Sequence, residues 1–167
     1  MFEFAVFGDP ISHSLSPQIH EAFGKQFGLT IRYERIQTRT GELQTALTKF
    51  KAQGGIGANI TVPLKHEAFK LCQQVSSRAT VAQAVNTIGW TPQGELWGDN
   101  TDGEGLIRDL TANHQLTLVH KNVLLLGAGG ATAGILGPLL SFTPNLTVAS
   151  RDVDKAKKKL SFQIKQI

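Results

Sequence analysis

The chain has 167 residues, a formal net charge of +4, an apolar fraction of 41% and one cysteine, Cys72. That length buries one core and leaves a second domain small or incomplete. A lone thiol excludes a disulfide framework and suits a reducing, cytoplasmic compartment, and no secretory leader or bilayer-length apolar run is visible, so no membrane association is expected. The clustered lysines, at residues 155–159, fit a solvated helix face, which favours small anionic ligands over nucleic acid.

Phe4-Ala5-Val6-Phe7 is a short apolar strand leading through Gly8-Asp9-Pro10 to Ser12-His13-Ser14-Leu15-Ser16-Pro17. Ser16 and Pro17 read as the N-cap and first residue of a helix over 16–27, with Ile19, Ala22, Phe23 and Phe27 on an inward stripe. Ser14 has no capping duty, and two hydroxyls one residue apart at a helix mouth can hold a carboxylate. Residues 31–36 read as a strand. The next helix carries Leu43, Ala46, Leu47 and Phe50 and stops at Gly54-Gly55.

Residues 57–62 form the next strand, running into Asn59-Ile60-Thr61-Val62-Pro63-Leu64-Lys65. An amide, a hydroxyl and a lysine thus gather at one strand tip, where open α/β sheets bind ligands. Pro63 suits a helix start, which sets Lys65 over the crevice. Helical turns follow around 67–72 and 76–83. Asn86 begins a β-like run to Trp90, Thr91-Pro92-Gln93-Gly94 reverses the chain, and Asp102 follows a second run, residues 95–97. This alternation predicts an α/β fold, a mostly parallel sheet with helices on both faces.

A second unit starts near Asp102, giving domains 1–101 and 102–167. Its first helix, 102–113, turns Leu106, Ile107 and Leu110 inward. Strand Asn122-Val123-Leu124-Leu125-Leu126 then runs through Gly127-Ala128-Gly129-Gly130-Ala131 into a helix with Ile135, Leu136, Leu139 and Leu140, and strand Leu146-Thr147-Val148-Ala149-Ser150 follows. This is the βαβ setting of a dinucleotide loop, with backbone N–H groups offered to a pyrophosphate. Thr132 holds the third position of the G-x-G-x-x-G pattern. At the end of the second strand, Ser150, Arg151 and Lys155 suit a 2′-phosphate, whereas Asp152 is acidic. No metal site is expected, because the five histidines lack ligand spacing with Cys72 or one another.

Five motifs together carry a family resemblance: Ser14-Leu15-Ser16-Pro17, residues 59–65, Ala84-Val85-Asn86-Thr87, residues 98–105, and Gly127-Ala128-Gly129-Gly130-Ala131. In their order and spacing the chain resembles the shikimate dehydrogenases from its first residue to about Lys155. The resemblance implies NADP-dependent, reversible reduction of 3-dehydroshikimate to shikimate, a step toward chorismate and the aromatic amino acids. It implies Lys65 and Asp102 as the acid/base pair, Ser14 and Ser16 at the substrate carboxylate, and Thr61 and Asn86 at ring hydroxyls with Asn59 in support. Gly127, Ala128, Gly129, Gly130 and Ala131 with Ser150, Arg151 and Lys155 would hold the cofactor. The family's NADP users usually carry Asn-Arg-Thr where this chain has Ser150-Arg151-Asp152.

Two other readings stand beside this one. A quinate or amino-analogue dehydrogenase shares the architecture. The methylene-tetrahydrofolate dehydrogenases are disfavoured, because their lysine lies in Tyr-x-x-x-Lys and position 61 here is Thr. The other reading is a truncated fragment, since the family chain is longer and a doubly wound fold needs two βαβ halves. On that reading the 167-residue chain binds cofactor weakly or not at all, has no useful dehydrogenase activity and tends to self-associate through the uncovered strand 122–126. A homodimer is the protein partner considered.

Overall fold

The computed structural model describes residues 1–142 and 145–165. Strand β1 (Phe2–Gly8) takes the centre of a half-sheet, with β2 (Ile31–Gln37) on one side and β3 (Gly55–Ile60) on the other, both parallel to it. Beyond β3 the sheet turns antiparallel. There β5 (Thr87–Trp90) and β6 (Leu96–Asp99) form a hairpin, and the two-residue β4 (Gln74–Val75) runs parallel to β6. The order is β2-β1-β3-β5-β6-β4, a mostly parallel α/β sheet as the alternation predicts. Thr91 and Gly94 close the hairpin, Gly94 N–H donating to the Thr91 carbonyl at 2.8 Å. Strand β4 had no sequence signal, because its pairing with β6 is non-local.

Alternation along the central strands builds two faces. Val6 aligns with Arg35 on β2 and Asn59 on β3, and Val6 packs with Ile11 and Tyr33 in one cluster. On the opposite face Phe7 meets Phe50 edge-on at 5.6 Å. Phe50 belongs to α2 (Leu43–Ala52), whose buried Leu43, Leu47 and Phe50 match the predicted stripe.

Helix α1 (Ser16–Gln26) departs from expectation. It buries Pro17 and Gly24, while Ile19, Phe23 and Phe27 are exposed. Gly24 explains the rotation: a methyl there would lie 2.8 Å from Ile31 Cδ1, so the helix approaches β2 through its glycine face. Ser16 is the first helical residue, not the cap. Leu15 holds the cap position and no side chain caps the helix. Pro63 likewise does not open a helix, since α3 (Lys65–Leu71) starts two residues later, after Leu64. Leu64 is fully buried, and its N–H donates to the Thr61 carbonyl at 2.8 Å, closing a four-residue turn that fixes where α3 begins.

The chain divides into two units: Met1–Val75 with Val85–Asp99, and Ser76–Ala84 with Asn100–Ile167. Short helix α4 (Ser77–Ala82), N-capped by Ser76 through a 3.1 Å bond to Ala79 N–H, belongs to the second unit. There it meets α6 (Gly130–Leu140), where Val81 Cγ1 approaches the Cα face of Gly137. The rest of this unit is α5 (Asp102–Arg108), which continues as a wider helical turn over Asp109–Asn113, parallel strands β7 (Asn122–Leu126) and β8 (Asn145–Ala149), and α7 (Val153–Lys165). Ile107, Leu118 and Leu139 form one cluster here, with Leu106, Leu110 and Ile135 against it, as the helical periodicity requires. Leu124 and Leu126 of β7 are exposed. Among the described residues no helix is long and apolar enough to cross a membrane.

Candidate functional site

In the first unit, six of the predicted site residues gather around the carboxyl ends of β1 and β3. Ser14 lies in the loop after β1 and Ser16 opens α1. Asn59 is the penultimate residue of β3, Thr61 follows its end, and Lys65 is the first residue of α3. Asn86 immediately precedes β5, whose start lies beside the end of β3 because the two are antiparallel. Backbone bonds fix these positions. Thr61 N–H donates to Phe7 O at 2.9 Å, Ile60 N–H to Asn86 O at 2.8 Å, and Val85 N–H to Lys65 O at 2.9 Å. Gly8 has to be glycine here, since a methyl would lie 2.5 Å from Thr61 Cγ2.

The polar side chains are organised, not merely adjacent. Ser14 Oγ donates to Ser16 Oγ at 3.1 Å and accepts from Ser16 N–H at 3.2 Å. Because no side chain caps α1, the Ser16 hydroxyl stays with this cluster. Arg35 holds the loop, its Nε donating to Ser14 O at 2.7 Å and its Nη2 to Gln18 Oε1 at 3.1 Å. Asn59 Nδ2 donates to Asn86 O and to Thr87 Oγ1, both at 3.3 Å, and Thr87 Oγ1 donates to Asn86 Oδ1 at 2.9 Å. Asn86 is buried and Lys65 half-buried.

Sequence reading missed Tyr33. Its hydroxyl donates to Asn59 Oδ1 at 2.6 Å. Burial drives the phenol far above its ordinary pKa, so the ring is a neutral donor. His20 stacks on it at 4.5 Å, with Nδ1 2.9 Å from Ser16 O. The available signal was this chain's single tyrosine, on a strand of otherwise polar and aliphatic residues.

In the second unit Asp102 is the first residue of α5, half-buried, with its N–H donating to Asn100 Oδ1 at 3.1 Å. Asn100 is buried and donates through Nδ2 to Ala84 O at 3.0 Å. Lys65 and Asp102 therefore sit in different units.

The glycine loop joins β7 to α6 as the βαβ pattern predicts. Gly127 has φ +107°, a value closed to side-chain-bearing residues, and its N–H donates to Ala149 O at 2.8 Å. Methyls at Gly129 or Gly130 would meet nothing within 4 Å, so the start of α6 is open on this side among the described residues. Thr132 closes the loop by donating its hydroxyl to Gly127 O at 2.8 Å, which accounts for threonine at the third position of the pattern. Ala128 and Ala131 complete this loop and the first turn of α6. Ser150 and the exposed Arg151 follow β8. Asp152 has a structural duty, its Oδ1 accepting from Lys155 N–H at 2.9 Å at the start of α7.

Residues 6–88 match the family model described as the shikimate dehydrogenase substrate-binding domain. The chain is 46% identical over 155 residues to the shikimate dehydrogenase (NADP(+)) of Alcanivorax borkumensis, covering 92% of this chain and 55% of that one. It is 49% identical over 154 residues to that of Aromatoleum aromaticum, again covering 92% and 55%. The chain thus spans about half the length of these curated relatives. Among solved structures, a shikimate dehydrogenase in complex with NADP+ superposes with a TM-score of 0.91 at 31% identity, covering 99% of this chain and 57% of that one. The Thermus thermophilus shikimate 5-dehydrogenase in complex with NADP(H) and shikimate gives 0.88 at 33%, covering 98% and 61%. The chain belongs to the shikimate dehydrogenase family, whose substrate-binding domain it carries and whose N-terminal part it matches.

Proposed function

We propose that this chain supplies the shikimate site, and the first half of the NADP site, of a dehydrogenase that interconverts 3-dehydroshikimate and shikimate. The observation that carries the reading is the gathering of Ser14, Ser16, Asn59, Thr61, Lys65 and Asn86 at the carboxyl ends of β1 and β3. Its family supports the substrate class, and the open glycine loop followed by Arg151 fits a phosphorylated dinucleotide. On this reading the domains are 1–101 for substrate and 102–167 for the start of the cofactor domain.

The chemistry then assigns roles. NADP, when bound, supplies hydride acceptance from the alcohol carbon and hydride return to the ketone. As the alcohol carbon loses hydride, its hydroxyl loses a proton, and Lys65 with Asp102 holds and moves that proton at the reacting oxygen. Ser14 and Ser16 hold the carboxylate. Thr61 and Asn86 bind ring hydroxyls, so an analogue lacking one leaves a buried partner unpaired and is rejected. Gly127, Ala128, Gly129, Gly130 and Ala131 would hold the pyrophosphate, and Ser150, Arg151 and Lys155 the 2′-phosphate.

Two lesser assignments accompany this. The exposed Ile19 and Phe23 of α1, with Phe27 just after it, support a second copy of the chain as a partner, which sedimentation velocity tests through its concentration dependence. Burial pushes the Cys72 thiol up to about 11, keeping it unreactive, and the lone thiol suits a reducing cytoplasmic compartment.

Calorimetric titration of the purified chain with shikimate, and with quinate for comparison, tests the reading. Saturable binding that favours shikimate is expected. No binding by ~10 mM, ten times the ~1 mM upper end of ordinary KM values, removes it.

A further inference from the structure

Ser14 and Ser16 are neutral, and two hydroxyls serve a carboxylate, an ester or an amide about equally well. A site that selects the anion needs a positive charge close to its oxygens, because a carboxylate taken out of water without one is costly. Arg35 of β2 stands where that charge is required. Its Nε donates to the Ser14 carbonyl at 2.7 Å and its Nη2 to Gln18 Oε1 at 3.1 Å. Ser14 lies in the loop after β1 and Gln18 in the first turn of α1, so one guanidinium ties down both segments that carry the serine hydroxyls.

Register sets Arg35 on the face of the site. It aligns with Val6 on β1, and Val6 aligns with Asn59 on β3, so the three form one row across parallel strands and their side chains share a face. Tyr33, two residues back on the same face, bonds Asn59 there. The Ser14 carbonyl and hydroxyl belong to one residue, which brings Arg35 Nε within roughly 7 Å of that hydroxyl, inside the ~8 Å screening length of physiological salt.

The charge is also unspent. Arg32, on the opposite face of β2, pairs with Glu3 and Glu34, whereas among the described residues no carboxylate pairs with Arg35. Its acceptors are a carbonyl and an amide oxygen. These fix the direction of the guanidinium without neutralising it, and a guanidinium does not deprotonate in a protein.

We propose that Arg35 makes the serine pair an anion site, holding the Ser14 loop in place and supplying the positive field that prefers a carboxylate to a neutral group of the same shape. This rests on the shikimate reading above. Arg35 touches no substrate in this role. It is a positioning residue that acts through Ser14 and, as a charge, through space.

Arg35→Gln tests it, because glutamine carries Nε2 where arginine has Nε, so the bond to the Ser14 carbonyl can survive while the charge is lost. The purified chain is titrated calorimetrically with shikimate and with the neutral, isosteric amide of shikimate. Wild type should favour shikimate. Arg35→Gln should raise the shikimate dissociation constant roughly three- to tenfold and leave that of the amide nearly unchanged. Arg35→Ala, which also loses the bond, should weaken both ligands and shikimate the more. Should Arg35→Gln unfold the unit, wild type alone carries the test: raising salt from ~0.02 to ~0.5 M must weaken shikimate and spare the amide. Unchanged shikimate affinity in Arg35→Gln, equal weakening of both ligands, or a shikimate affinity indifferent to salt overturns the charge role and leaves the shikimate reading standing. A wild-type chain that fails to bind shikimate removes both.

Discussion

Gly134 of α6 lies against the Asp102 carboxylate: a methyl on Gly134 would stand 3.2 Å from Asp102 Oδ2 and 3.0 Å from Asn100 Oδ1. The helix that follows the glycine loop thus also forms the floor under the carboxylate assigned to proton transfer. Gly103 completes the contact, since a methyl there would meet Gly134 O at 2.6 Å. We expect Gly134→Ala to destabilise the second unit by about 1–3 kcal/mol through overpacking. Gly137→Ala is the control, because its methyl reaches Val81 Cγ1 at an ordinary 3.4 Å. It should be neutral, or stabilising by up to ~1 kcal/mol from helix propensity. Thermal unfolding of the two variants compares them, and equal destabilisation would rule out a special role for position 134.

Glu67 binds α3 to the start of α2. Its Oε2 accepts from Gly41 N–H at 2.9 Å and its Oε1 from Leu43 N–H at 3.2 Å. No side chain of α2 itself caps that helix, so the carboxylate stands in for a cap. Glu67→Ala should cost about 1–2 kcal/mol in denaturant unfolding. Since Lys65 is two residues away on the same turn, kcat of an active dehydrogenase carrying this sequence should fall as well, with shikimate affinity little changed. A variant as stable as wild type would show that water replaces the carboxylate without loss.

Lys65→Met should lower kcat by roughly two to four orders of magnitude, because proton transfer loses its positioned group. The substrate dissociation constant should barely change. The measurement is made in a dehydrogenase active on shikimate that carries this N-terminal sequence. Turnover close to wild type would exclude Lys65 from the proton step.

Arg151→Ala should weaken NADP much more than NAD, since only NADP carries the 2′-phosphate. Direct titration of both cofactors decides it. Equal weakening would transfer phosphate recognition to Ser150 or Lys155.

Alkaline pH should destabilise the first unit. Burial raises the Cys72 thiol from an ordinary 9.0 to about 11, so the folded form retains a proton that the unfolded form releases. Stability is therefore fully present below the unfolded value and is lost as pH rises through the folded one. Tyr33, raised in the same direction by burial, adds to the loss at higher pH. Cys72→Ala should flatten the profile between pH 9 and about 11, read by urea unfolding at a series of pH values. An unchanged slope would mean that the thiol titrates alike in both states.

Sequence alone determined the elements whose signals are local. The α2 stripe of Leu43, Leu47 and Phe50, the Thr91–Gly94 reversal and the strand–glycine loop–helix order around Gly127 each follow from spacing within one segment. The motif residues Ser14, Ser16, Asn59, Thr61, Lys65 and Asn86 were legible because each lies at a strand end or in the loop and helix start joined to one. Only tertiary structure decided which face of α1 is buried, since the choice rests on how closely Gly24 approaches Ile31 across the sheet. It likewise freed Ser16 from capping, gave Asp152 that duty on α7, and moved Ser76–Ala84 into the second unit. Tyr33 is the clearest case: 26 positions separate it from Asn59, so no pattern in the chain announces their bond, and only the register of β2, β1 and β3 brings phenol and amide together.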